Sequence, residues 1–470
     1  MHQHQHPAWN DLLAWLERHG MDVSSALHVE ARSLPFGYGM VALREIGPSV
    51  PLFTIPAGAL LNAITLAPHY PKAKPKLSSV QIISLHLFLH RPVNGKSSDP
   101  LFGPYIAVLP AEFDTHPLTW RRKQRQAVPP PGLWLLDKLP RFVQRDLGRV
   151  EKAFQSDWER VQSYLRSKPN VLDAATNSHA QGILDDPTLV EDDFLWAWLN
   201  VNTRCIFYRT KDAKSDPDNL TLCPILDFAN HSSVVPTMTP QASKQDIWDM
   251  ALKNKPADFT LLSPSEKSTS VGEELYLQYG FHSNQFLFVE YGFADSISGA
   301  AVLSGDQNAD IDITPMVEDF VAARGDLGEW MKQRLLEEGY WGEWTLHSSP
   351  KPAHPSYRLI TALRLYAALP SKVTNLNEID DLEAQLSSWL EVVGGQRECI
   401  SEENEVLWRK SLEQICKTVL EAATTHSKSL EVPPTEQSVA GAVSCVKSLW
   451  EEERYVAEAV MQSIEANETF

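Results

Sequence analysis

The sequence predicts an α+β chain: a small β core interrupted by a long helical insertion, then an all-α C-terminal domain. Three observations carry this. Short apolar runs broken by Gly and Pro fill residues 34–62 and return at residues 220–279. Between them, residues 78–200 place apolar side chains at steps of three and four. After about residue 298 the same helical spacing continues through PSYRLITALRLYAAL and VAGAVSCVKSLWEEERYVAEAVMQSIEANE.

Each element has its own local reason. NDLLAWLERHG reads as a helix capped by Asn10, with Leu12, Leu13 and Leu16 on one face and Gly20 ending it. FGYGMVALREI and VPLFTIPAGALLN read as strands. SSVQIISLHLFLHR is an N-capped helix. From Phe142 to Lys168, Val143, Leu147, Val150, Phe154, Trp158, Val161 and Leu165 mark one long amphipathic helix. AVPPPG before it is a stiff linker. Another helix is expected over about Asp192–Cys205. TLCPILDF and FTLLSPSEKSTSVGEELYLQYG return to strand, while residues 211–219 and 236–256 are polar enough for surface loops.

The chain has 470 residues, too many for one ordinary core, so two domains are expected. Its formal net charge is -18, which argues against nucleic acid as the main ligand and suits a basic protein partner. The five cysteines lie far apart with no C-x-x-C pair, so neither a disulfide framework nor a zinc site is read from them; a reducing cytoplasmic or nuclear location is expected. No apolar run reaches the ~20 residues of a membrane span. His2, His4 and His6 read as a solvated tail.

Chemistry is suggested by two stretches. In LCPILDFANHSS, Asp227, Asn230 and His231 follow an apolar run; turn-forming residues after a strand are the bland reading. The Asp227/His231 pair has no third ligand at helical spacing and no H-E-x-x-H accompanies it, so no metal is expected. In GEELYLQYGFHSNQFLFVEYGF, Tyr279 and Tyr291 each precede a glycine, and the aromatics alone could be core.

The ordered combination is more specific. FGYGMVALREI, FGPYIAVLPAEFDTHPLTW, WLNVNTRCIFY, LCPILDFANHSS and GEELYLQYGFHSNQFLFVEYGF resemble, in sequence and in order, the SET-domain lysine methyltransferases typified by Rubisco large-subunit methyltransferase and the fungal ribosomal-protein lysine methyltransferases. The resemblance implies a SET-domain β core with a knot-like crossing over residues 1–295, split by the insertion at about 63–200. A helical substrate-binding domain over 296–470 would follow.

It further implies S-adenosylmethionine as cofactor, held by the backbone at Phe36, Gly37 and Tyr38, by Arg204, and by Asp227, Asn230 and His231, with Tyr291 and Phe293 packing nearby. Tyr279 would be the catalytic tyrosine, and Tyr208 with Tyr279 would line the substrate channel. The activity implied is lysine N-methylation of a non-histone protein, ribosomal proteins being among the candidates, by a monomer that needs no metal, nucleic acid or membrane. The alternatives are a histidine acceptor on the same fold and a catalytically silent module that binds a partner protein. Two departures stand out: Phe36 replaces an acidic residue frequent in relatives, and no cysteine lies between Cys223 and Cys399 to build a zinc segment behind Tyr279.

Overall fold

The computed structural model describes residues 4–35, 37–124, 126–241, 257–370, 382–431 and 437–470. The chain forms two compact units, one of Met1–Lys123 with Arg149–His282, the other of Gln124–Gly148 with Ser283–Phe470. The expected boundary lay after residue 295. Ser283 begins the second unit instead, and residues 124–148 join it through local pairing: Gln285 Nε2 donates to Asp146 at 2.6 Å, and Arg141 and Arg145 pair with Asp319 and Asp312.

The first unit is built from small sheets whose strands come from distant parts of the chain. β1 (Val29–Leu34) and β2 (Gly37–Ala42) form an antiparallel hairpin with Gly37 opposite Leu34. β3 (Pro51–Ile55) belongs to one three-stranded sheet and β4 (Leu61–Asn62) to another. In the latter, β5 (Ile206–Phe207) and β4 both pair antiparallel with β6 (Leu220–Leu222). β7 (Asn230–His231) is followed by β8 (Thr239–Pro240) and β9 (Phe259–Leu262), which pair with each other, β9 also pairing with β3.

β10 (Tyr276–Leu277) then returns to lie parallel to β7, Tyr276 opposite Asn230 and Leu277 opposite His231. The chain thus leaves β7, crosses to another sheet and comes back beside the strand it left. A parallel return of this kind needs a long crossover, which residues 232–275 supply.

The insertion is helical as its spacing predicts. Ser79–Leu89 carries a reciprocal capping box between Ser78 and Gln81. It packs on Glu191–Arg204, and Asp157 of the long helix Arg141–Ser167 accepts from Gln81 Nε2 (2.9 Å) and Trp198 Nε1 (2.8 Å). Phe88, Phe154, Trp158 and Phe194 interlock in its core.

Three local expectations are corrected. The first helix runs Trp9–Arg18 with Ala8 as its cap residue, so Asn10 sits inside the first turn; His6 Nδ1 accepts from Ala8 N at 3.2 Å. The histidine tail keeps His4 exposed, as expected, but it does not hang free, and His6 is partly buried. Residues 4–6 run along the open edge of β1, with His6 N donating to Ala31 O (3.1 Å) and Ser33 N to His4 O (2.8 Å), which satisfies backbone groups an edge strand leaves unpaired. Residues 1–3, including His2, lie outside the described residues. TLCPILDF is not one strand: β6 stops at Leu222, because Pro224 has no N–H for the ladder, and Leu226–Phe228 make a 3₁₀ turn.

Of the two expected loops, 211–219 is anchored by the buried Asn219, whose side chain accepts from Thr210 N and Lys211 N and donates to Ala213 O. The other falls in part on 242–256, outside the described residues.

The second unit is mostly helical. Long helices Glu402–Lys428 and Ala440–Glu465 pack together, and Tyr357–Ala368 lies on the first of them. Trp344, Trp389 and Trp408 are buried at its centre. To this the structure adds a small sheet of β11 (Asp310–Asp312), β12 (Thr345–His347) and β13 (His354–Pro355) that the helical spacing did not reveal. No helix among the described residues is long and apolar enough to cross a membrane.

Candidate active site

The parallel pair β7–β10 makes a corner at which several polar side chains converge. Asn230 Nδ2 donates to the Tyr38 carbonyl (3.3 Å) and to Glu274 Oε1 (2.7 Å). Glu274 is brought there by backbone pairing, since Leu275 N donates to Met40 O (2.8 Å) and Val41 bridges Glu274. Its other oxygen accepts from Tyr276 (2.7 Å); partial burial and this carboxylate push the Tyr276 hydroxyl up to about 12, so it stays a neutral donor.

Gly39 permits the convergence. A Cβ there would overlap Leu34 Cδ1 and sit 2.7 Å from Glu274 Oε1, so a larger residue would make both side-chain ends shift, including the carboxylate that orients Asn230. Gly37, with φ +131°, opens β2 in a backbone region that other residues rarely enter.

Tyr279 spans the same corner. Its backbone N–H donates to His231 Nδ1 (3.1 Å), its ring centroid lies 5.2 Å from that of His231, and its hydroxyl donates to the Ala229 carbonyl (2.8 Å). The hydroxyl proton is therefore committed to the backbone carbonyl.

A second group of residues sits on the turn just before β7. Arg204, the last residue of helix Glu191–Arg204, donates from Nη1 to the Asp227 carbonyl at 2.6 Å, while Tyr105 donates to the Asp227 carboxylate. Arg204 Nε and Asp227 Oδ1 are buried without a hydrogen-bond partner. Burial pushes the Asp227 carboxyl up to about 7, with Arg204 and Tyr105 offsetting part of the rise. Ile225 holds φ +69°, a strained value for a β-branched residue, and so aims the Leu226–Phe228 turn back against β2. His6, Trp9, Tyr38 and Phe228 form an aromatic cluster beside it, the His6 and Tyr38 centroids 4.5 Å apart.

Of the residues singled out from sequence, Tyr38, Asn230, His231 and Tyr279 meet at the corner, and Arg204 with Asp227 meets at the adjoining turn. Tyr208 follows β5 and donates to the Ala257 carbonyl at 2.6 Å. Tyr291 and Phe293 belong to the second unit, at the end of helix Asn284–Tyr291 and just beyond it, with centroids 6.1 Å apart. Phe36 lies outside the described residues. Sequence reasoning did not single out Glu274, Tyr105 or His6. The first two stand inside the GEEL and FGPYIAVLP stretches, but only the pairing of distant strands shows what they hold.

No model of a known protein family matches the chain. It is 27% identical over 366 residues to the ribosomal lysine N-methyltransferase set11 of Schizosaccharomyces pombe, spanning 77% of this chain and 76% of that protein. It is 24% identical over 435 residues to SET domain-containing protein 4 of Mus musculus, spanning 90% of this chain and 84% of that one. Among solved structures, the SET domain of LSMT bound to lysine and AdoHcy superposes over 98% of this chain and 91% of that one, with a TM-score of 0.55 at 19% identity. The chain therefore has the SET-domain fold of the LSMT structures and, in sequence, resembles ribosomal lysine N-methyltransferases.

Proposed function

We propose that the chain is an S-adenosylmethionine-dependent protein-lysine N-methyltransferase acting on a non-histone protein, in the first instance a ribosomal protein, in the cytoplasm or nucleus. The observation that carries this reading is the clamping of Tyr279 onto the Asn230–His231 corner through both its backbone and its hydroxyl. The relatives named as ribosomal lysine methyltransferases support the substrate class, and five free cysteines suit a reducing compartment.

The residues fit the cofactor. A ligand with a carboxylate, an amino group and a purine needs a few fixed polar partners at points of close backbone approach. Arg204 Nε and Asp227 Oδ1, both buried and unpartnered, are a donor and an acceptor for its carboxylate and amino group. Gly37 and Gly39 keep β2 free of Cβ atoms beside Tyr38 and Asn230. Bound there, the cofactor supplies a methyl group on a positively charged sulfur.

The chain's own residues then align and deprotect the acceptor. Methyl transfer is an in-line displacement, so orientation supplies much of the rate. The attacking amine must be neutral, which for a free lysine costs about 4.6 kcal/mol at pH 7, some ~3.4 pH units below its ordinary pKa. Burial beside a positive charge lowers that cost, because both disfavour the ammonium. With its proton held by Ala229, the Tyr279 oxygen accepts an N–H of the amine and orients its lone pair, acting as a positioner and not as a base. In the same proposal Tyr208 lines an aromatic wall.

Labelled methyl transfer tests this. Ribosomal proteins from cells in which the gene is disrupted are incubated with labelled S-adenosylmethionine and the chain, and the modified residue is identified. A labelled lysine is expected with wild type, and Tyr279→Phe should reduce the rate by about 10²-fold or more. Label on histidine, or none at all, contradicts the proposal.

A further inference from the structure

A second assembly of polar residues lies in the helical insertion, built from the helix Ser79–Leu89 and the turn that begins helix Gly103–Ile106. His86 and His90 are one helical turn apart and so share a face. Facing them is Asp99. All three are buried, with side-chain exposures of 1%, 5% and 1% respectively. His86 Nε2 lies 3.0 Å from Asp99 Oδ2 and His90 Nε2 lies 3.7 Å from Asp99 Oδ1.

A plain buried His–Asp hydrogen bond accounts for half of this arrangement. It does not account for the second histidine, whose Nε2 points at the other carboxylate oxygen from beyond hydrogen-bond range. Nor does it account for Asp99 Oδ1, which is buried without a hydrogen-bond partner. Both imidazoles are meanwhile anchored from behind: His86 Nδ1 bonds the Tyr70 hydroxyl (2.8 Å) and His90 Nδ1 the Thr176 hydroxyl (3.1 Å). The Tyr70 and Thr176 hydroxyl oxygens can each accept from an Nδ1–H. Once an ion replaces the Nε2–H···Oδ2 bond of His86, an Nδ1–H donated outward leaves the Nε2 lone pair of each ring turned inward, the orientation that second-layer partners impose on metal-bound histidines.

We infer that His86, His90 and Asp99 form a binding site for a divalent cation of the zinc type, a site distinct from the SET-domain corner. The ligand atoms all lie within 4.8 Å of one another. Bonds of ~2.0–2.2 Å at a tetrahedral centre separate ligand atoms by about 3.4 Å; His86 Nε2 lies 3.0 Å from one Asp99 oxygen and His90 Nε2 lies 3.7 Å from the other, so small side-chain shifts would close the shell. Two imidazoles and one carboxylate suit zinc or cobalt better than calcium or magnesium, which prefer all-oxygen shells. Asp99 also lines a cavity of about 570 Å³ with Thr65, His69 and Phe102. The ion would tie the insertion's first helix to the turn at Asp99. This inference does not depend on the methyltransferase reading.

The test uses the full chain, stripped with chelator and titrated with Zn²⁺, followed by Co²⁺ for its visible absorption. Surface capture by the N-terminal histidines is removed in a variant in which His2, His4 and His6 are each replaced by Gln. One tightly held equivalent is expected in that variant, with a tetrahedral cobalt spectrum and a rise in Tm of about 4 °C or more. His90→Gln, made on the same background so that His86 keeps its partners, should lose both the equivalent and the Tm shift. Retention of the equivalent in His90→Gln, or its loss on replacing the N-terminal histidines alone, overturns the inference.

Discussion

Asp227 shows how one side chain links stability to ligand binding. Its carboxyl is pushed up to about 7 by burial, from an ordinary value of 3.8, so the folded chain holds a proton there that the unfolded chain releases. Stability from this residue is fully present below about pH 4 and falls as the pH rises towards 7, beyond which it is level. The expected loss is a few kcal/mol at most, since each tenfold change in proton affinity is worth about 1.4 kcal/mol. Asp227→Asn should flatten that part of a denaturation series taken from pH 4 to 7; an unchanged slope would show that Asp227 ionises normally. A cationic amino group at Oδ1 has the opposite preference and draws the proton off. Cofactor binding at pH 6 should therefore release protons, seen as a dependence of the binding enthalpy on buffer.

At the scale of elements, the hairpin β1–β2 and the returning strand β10 form one device. Gly39 gives up its side chain so that Glu274 can reach Asn230. Gly39→Ala is expected to push Glu274 aside, costing about 1 kcal/mol of stability, the low end for overpacking because both side-chain ends can move, and weakening S-adenosylhomocysteine binding. Gly58→Ala, where a new Cβ meets nothing within 4 Å, serves as the control. Equal melting and equal affinity in the two variants would remove Gly39 from the account.

The elements also show what could be read without coordinates. The helices at Ser79–Leu89, Arg141–Ser167 and Glu191–Arg204 were legible because each carries a cap or a long apolar face of its own. β10 fell within a stretch read as strand, but β7 did not, since a two-residue strand has no periodicity, and their pairing depends on a crossover spanning residues 232–275. The break at Pro224 was visible in the sequence, yet the apolar run around it read as one strand; the turn is buried, so polarity did not mark it. The residues of the corner were legible through ordered motifs. Their supports, Glu274 and Tyr105, become visible only when distant segments are brought together.

The whole molecule carries a formal charge of -18, which bears on the substrate more than on the chemistry. For a basic partner such as a ribosomal protein, long-range attraction should raise the association rate and be screened by salt, with a Debye length of about 8 Å at 0.15 M. The specificity constant kcat/KM is expected to fall several-fold between about 0.05 and 0.3 M salt, mainly through KM. A salt-independent KM would point to recognition by apolar contacts.

The measurement closest to the central claim is calorimetric titration of S-adenosylhomocysteine into wild type and Asn230→Ala. The account predicts one bound equivalent in wild type and an affinity at least about tenfold weaker in the variant, equivalent to ~1.4 kcal/mol. Binding of equal strength in both, or no binding to wild type, would contradict a methyl-donor site at the corner of β7 and β10.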